Sequence, residues 1–136
     1  MILLDTNVVS ELIKPQPAQK VVDWFNLRAP ADLCICATTV MEMLSGVSRM
    51  PVGQNRTRVD QAVNAIIPRF QVLPFDEFAA RSYAQLTERA LGVGYNVTIG
   101  DGQIAAVAHS AGITTVATRD TGPFLAMGLA VIDPFV

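Results

Sequence analysis

Short apolar runs that each give way to a helix-periodic segment recur along this chain, and that alternation restricts it to a small set of folds. Ile2-Leu3-Leu4 precedes the turn and cap signal Asp5-Thr6-Asn7 and then Val8 to Ile13, which reads as a strand followed by a helix. Pro15 and Pro17 stop that helix, and Val21, Val22, Trp24, Phe25 and Arg28 suit a second one ending near Ala29-Pro30. Leu33 to Cys36 reads as the second strand, and Thr39-Val40-Met41-Glu42 opens the next helix with the spacing of a capping box. Val59, Ala62, Val63, Ile66 and Ile67 mark a further helix, and Phe70 to Leu73 alternates as a strand. Asp76-Glu77 charges the start of a helix whose inner face is Ala79, Tyr83, Leu86 and Ala90, and Leu91 to Asn96 reads as a loop. An alanine-rich helix then runs from Asp101 to Ala111, ahead of a β-branched strand at Thr114 to Thr118, a short helix around Pro123 and a last strand at Ala130 to Ile132. The expected class is α/β, with a mostly parallel sheet covered on both faces.

Composition agrees with a packed globule: 51% of residues are hydrophobic and 16% charged, which excludes a disordered chain. At 136 residues the expectation is one domain over 1–136. The first residues carry no basic region or small-residue cleavage site, and no apolar run approaches the ~18 residues of a membrane span, so a cytoplasmic protein is expected. Cys34 and Cys36 fall at strand spacing on one face, where their side chains diverge, and read as buried inert thiols. The net charge of −2 neither marks nor excludes a nucleic-acid binder.

Function in open α/β sheets sits beyond the carboxyl ends of the strands. Asp5 ends the first strand, Glu42 lies a turn into the helix after the second, and Asp120 follows the Thr114 strand, so these three acids should share one edge. Asp101 starts a helix with no obvious strand before it, and its convergence is an inference. Each acid also has a plainer use. Glu42 completes a capping box with Thr39, Asp101 has the same spacing from Thr98, and Asp120 can cap the short helix before Pro123. Capping does not require every cap to gather at one end of a sheet, however. An unpaired Asp5 directly after an apolar strand would be costly, and a cation would offset that cost.

Carboxylate oxygens and water are the ligands of Mg²⁺ and Mn²⁺, whereas zinc calls for histidine or thiolate. The one histidine, His109, lies roughly 12 Å along the helix from Asp101 and reads as a surface or core residue. A solitary histidine also argues against a ribonuclease with a histidine acid and base pair. Metal-assisted hydrolysis remains.

The chain resembles PIN domains, in particular the VapC and FitB-like toxins of bacterial type II toxin-antitoxin pairs. The resemblance rests on Leu3-Leu4-Asp5-Thr6-Asn7-Val8, Thr39 to Val47, Asp101-Gly102-Gln103-Ile104-Ala105-Ala106 and Ala117-Thr118-Arg119-Asp120, in that order. It implies a three-layer α/β/α PIN-like domain and a Mg²⁺- or Mn²⁺-dependent endoribonuclease, commonly a homodimer, held in check by a cognate antitoxin. It also implies that Asp5, Glu42 and Asp101 form the acidic core, with Thr6, Asn7 and Thr118 supporting. Many relatives read T-R-N-x-x-D-F late in the chain, but here Thr118-Arg119-Asp120-Thr121-Gly122-Pro123-Phe124 places Pro123 at the usual aspartate position. Asp120 is then the fourth carboxylate, supplied from a neighbouring position, and one or two ions both remain open.

RNA approaching an acidic pocket needs basic residues outside it. Arg119 is the leading candidate, with Lys14, Arg49, Arg56, Arg58 and Arg89 behind it. Trp24, Phe25, Met43 and Met50 are candidate antitoxin contacts, with core packing the favoured use of Trp24 and Phe25. A haloacid-dehalogenase-like phosphatase would need a second aspartate at Asn7, and a receiver domain a late lysine where both lysines are early. The serious alternative is a PIN-like scaffold that binds RNA or protein without cutting it.

Overall fold

The computed structural model describes residues 1–136. Five strands form one sheet: β1 (Ile2–Leu4), β2 (Leu33–Cys36), β3 (Gln71–Leu73), β4 (Thr115–Ala117) and β5 (Ala130–Ile132). Their order is β3-β2-β1-β4-β5, and every neighbouring pair is parallel. Ile2 faces Leu33 on one side and Thr115 on the other, which puts β1 in the centre. The helices are α1 (Thr6–Leu12), α2 (Gln19–Asn26), α3 (Ala37–Ser48), α4 (Gln54–Ile66), α5 (Glu77–Gly92), α6 (Ile99–Ser110) and α7 (Thr121–Ala126).

Strand alternation divides the apolar residues into two cores. Leu3, Cys34, Cys36 and Val116 pack with residues of α5, α6 and α7, including Leu86, Ile104, Val107 and Phe124. Leu4, Leu33, Ile35 and Ala117 point to the other face and meet Val8, Val9, Val21, Met43, Val47 and Val63 from α1 to α4. The result is the three-layer α/β/α arrangement. Cys34 and Cys36 are free, buried thiols in the same core, and burial pushes the Cys34 thiol up to about 11. No helix is long and apolar enough to cross a membrane.

Several local expectations change. Helix α2 ends at Asn26 rather than near Ala29-Pro30, and a short 3₁₀ turn at Pro30–Asp32 leads into β2. Helix α3 begins at Ala37, directly after β2, with no side-chain cap, so Thr39 and Glu42 do not form a capping box. On α5 the buried face contains Ser82, while Tyr83 is half-buried, and the helix runs on to Gly92. Asp120 stands at the N-cap of α7 without a side-chain capping bond. His109 is exposed, with Nδ1 2.9 Å from the Ser82 hydroxyl.

Winding proceeds outward from β1 through β2 to β3, and then returns across the sheet to β4 and β5. The reversal falls at the carboxyl ends of β1 and β4, the point in such sheets where ligands bind.

Candidate functional site

Asp5 occupies that reversal point. Its amide continues the strand ladder by donating to the Ala117 carbonyl at 2.9 Å, and its side chain is only 4% exposed. Oδ1 accepts from the Thr6 amide at 2.7 Å, capping α1. Oδ2 accepts from the Thr118 hydroxyl at 2.7 Å and from Asn7 Nδ2 at 3.3 Å. Thr118 comes from the residue after β4, so the two central strands meet through this carboxylate. Burial raises the Asp5 carboxyl to about 6; its hydrogen bonds from Thr118 and Thr6 pull it down, and the charges of Asp101 and Glu42 push it up again.

Glu42 projects from the second turn of α3. The Thr6 hydroxyl donates to its Oε1 at 2.9 Å and lies 3.2 Å from the Thr39 hydroxyl. The other side of the carboxylate packs against the backbone of α6, where a Cβ on Gly100 would stand 3.2 Å from Oε2. Asp101 lies in the first turn of α6, where the helix dipole favours a negative charge, and its amide donates to the capping Thr98 hydroxyl at 3.2 Å. Burial raises the Asp101 carboxyl as well, the Thr98 hydroxyl opposes this, and the charges of Asp120 and Glu42 add to the rise. Asp120 is exposed, and its amide donates to the Thr118 hydroxyl at 3.0 Å.

The four acids are therefore electrostatic neighbours. Asp5 feels Glu42 and Asp101, and Asp101 feels Glu42 and Asp120. None of the chain's ion pairs reaches them; those pairs join Lys14 and Arg119 to Glu11, and Arg81 to Glu77. The side chains as placed do not close three ligands around a single point. The set is oxygen-only, mutually repelling and without a cationic partner, which fits a hard divalent cation in kind. The site lies at the carboxyl ends of β1 and β4, away from both edge strands of the sheet. A separate concavity lies elsewhere, along Met1, Gln71, Ile113 and Thr114.

Around the acids, Asn7 links three groups: Nδ2 donates to Asp5 and to the Thr118 hydroxyl, and Oδ1 accepts from the Arg119 amide at 3.2 Å. The Arg119 guanidinium pairs with Glu11, not with Asp120. Of the other basic candidates, Lys14 also pairs with Glu11, Arg56 donates to the Met50 carbonyl, Arg58 donates to Asn55, and Arg89 lies over Gly128. Trp24 and Phe25 are half-buried against the core, Trp24 beneath Arg28 and Phe25 edge-on to Phe70, and Met43 is buried. The large apolar residues that do face outward from α3 are Met41 and Leu44.

Sequence reasoning missed Thr38, Gln103, Gly100 and Glu11. The Thr38 hydroxyl donates to Gln103 Oε1 at 3.0 Å and so ties the start of α3 to α6, fixing Glu42 relative to Asp101. Gly100 had a visible signal, a glycine directly before an acid at a helix start.

Residues 2–128 match the PIN domain family. The chain belongs to that family. Among PIN-domain relatives it is 43% identical over 138 residues to the VapC ribonuclease Y4jK of Sinorhizobium fredii, covering 99% of this chain and 98% of the relative. It is 41% identical over 138 residues to toxin FitB of Neisseria gonorrhoeae, covering 99% of both. Superposed on a FitAB complex bound to the IR36 DNA fragment, this PIN domain gives a TM-score of 0.92 at 42% identity, covering 100% of this chain and 96% of that one. The sheet order and helix layers described above are thus those of a PIN-like fold.

Proposed function

We propose that this PIN domain is a Mg²⁺- or Mn²⁺-dependent endoribonuclease and the toxin of a type II toxin-antitoxin pair. The observation that carries the reading is Asp5, a buried carboxylate at the winding reversal, with the charges of Glu42 and Asp101 beside it, Asp120 next to Asp101, and no basic side chain paired with any of them. Relatives named as a ribonuclease and as a toxin support the class.

Asp5, Glu42 and Asp101 would hold the ion, and Asp120 would join from the β4 side. A divalent ion there supplies Lewis-acid chemistry, lowering the pKa of a water and neutralising charge on a phosphoryl oxygen. The chain's own part is orientation. Thr118, Asn7 and the Thr6 amide aim Asp5, the bonds from Thr118 and Thr6 oppose the rise that burial causes in its pKa, and the Thr6 hydroxyl aims Glu42. Arg119, at the rim and more than half exposed, has guanidinium N–H groups left over to meet a backbone phosphate. In-line attack by water on phosphorus leaves a 5′-phosphate and a 3′-hydroxyl, with no role for the 2′-hydroxyl. The open site admits a polymer. A cognate antitoxin and a second copy of the chain are the expected partners, in the cytoplasm.

The test is cleavage of RNA by purified protein. Asp5→Asn should abolish it with the fold intact, and EDTA should do so reversibly; cutting at the wild-type rate by that variant ends the metal reading. A non-cleaving scaffold is the second reading, favoured by the uncaged placement of the carboxylates. Mn²⁺ raising the melting temperature of the wild type but not of Asp101→Asn supports the enzyme, because a ligand that binds only the native state stabilises it.

A further inference from the structure

Arg119 adjoins Asp120 in sequence, and a guanidinium so close to a carboxylate cluster would ordinarily fold onto it with charge-assisted hydrogen bonds. It turns the other way. Its Nη2 lies 3.4 Å from Glu11 Oε1, and its Cζ lies 3.7 Å from the centroid of the Phe135 ring. Glu11 is 5% exposed on α1 and is itself held firmly: Oε2 accepts from the Ala18 amide at 3.1 Å, and Oε1 from Lys14 Nζ at 2.9 Å. Phe135 follows β5, with its amide fixed to Asp133 Oδ1 at 2.9 Å. The Arg119 backbone is meanwhile pinned at the site by Asn7. The guanidinium therefore has one hinge and two destinations, the Glu11–Phe135 seat or the acids.

We infer that Glu11 is a positioning residue that, together with Phe135, holds Arg119 off Asp5, Glu42, Asp101 and Asp120 and so leaves them open to a divalent cation. The inference rests on the metal reading of the site. It gives Glu11 a use that capping, packing and substrate contact do not supply: a buried acid one helical turn beyond Asn7 competes for the arginine that would otherwise occupy the cation's place. Loss of the Glu11 charge frees a long, flexible side chain beside four carboxylates.

Mn²⁺ titration of the whole chain without RNA, followed by calorimetry and by the rise in melting temperature, tests this. Glu11→Gln keeps an oxygen for the Ala18 amide and should weaken Mn²⁺ binding on the order of tenfold, the scale of lost outer-shell support at metal sites. Adding Arg119→Ala to Glu11→Gln should return Mn²⁺ affinity to within about twofold of wild type, because the competitor is gone and the two changes are coupled. A purely structural role would not be rescued by deleting a second side chain. Phe135→Leu frees the same guanidinium by another route, so a Glu11→Gln chain that fails to fold is replaced by Phe135→Leu with and without Arg119→Ala. Wild-type Mn²⁺ affinity in the single variants, or double variants as weak as the singles, overturns the inference and leaves the metal reading standing. A wild type that does not respond to Mn²⁺ overturns both.

Discussion

The Thr6 hydroxyl donates to Glu42 Oε1 at 2.9 Å, so the first residue of α1 aims a carboxylate carried by α3. The same residue's amide donates to Asp5 Oδ1 at 2.7 Å. One threonine thus orients two acids on different elements, the amide fixing one and the side chain the other.

Thr6→Val separates these duties, since it keeps the amide and the shape and removes the hydroxyl. RNA cleavage should fall by about 10- to 100-fold, as for other residues that orient ligands, while the melting temperature stays near wild type. Steady-state cleavage beside a thermal melt checks both halves. Unchanged cleavage would show that Glu42 needs no such guide.

Thr118→Val should cost stability. The buried Asp5 Oδ2 loses its 2.7 Å bond and keeps only the 3.3 Å bond from Asn7, and a lost hydrogen bond of this kind costs roughly 0.5–1.5 kcal/mol. Urea unfolding of the metal-free protein measures the loss, and Thr118→Ser should restore most of it.

Gly100→Ala sets propensity against the site. Alanine is a better helix former than glycine, though less decisively in the first turn of α6 than in a helix interior, but its Cβ would stand 3.2 Å from Glu42 Oε2 and crowd that carboxylate. Cleavage should drop with no loss of melting temperature. A variant that melts lower and cuts normally contradicts the contact.

The metal-free protein should melt higher near pH 5 than near pH 7.5. Asp5 titrates at about 6 in the folded chain against 3.8 ordinarily, so between these values the folded state holds a proton that the unfolded state has released. The resulting stabilisation is fully present at low pH and is lost as pH rises through about 6, on the order of 3 kcal/mol in total. Asp101 acts in the same direction, its carboxyl raised chiefly by burial. Thermal melts in chelator across this range check the sign, and Asp5→Asn should flatten the slope.

The sheet and most helices were legible because their signals are local: apolar runs of strand length, 3.6-residue periodicity, and prolines where helices stop. Asp5, Glu42 and Asp120 could be assigned to one edge because parallel strands fix where their carboxyl ends lie. Asp101 could not, because its approach depends on α6 packing across α3 through Thr38 and Gln103, a contact between residues 65 apart. The capping-box reading of Thr39 and Glu42 failed for a related reason. With α3 starting directly at the end of β2, Thr39 lies inside the helix and Glu42 turns to Thr6, a partner 36 residues away. Glu11 was invisible in the same way, as one acid among helix residues until the fold brought Ala18, Lys14 and Arg119 to it.

Asp5 and Thr118, whose bond spans 113 residues, also set when the acidic set can first be assembled. A ribosome must release nearly the whole polypeptide before the first acid gains the hydroxyl that steadies it. Nascent fragments and products truncated before β4 lack both that hydroxyl and the parallel pairing of β1 with β4, however much of the acidic set they already contain.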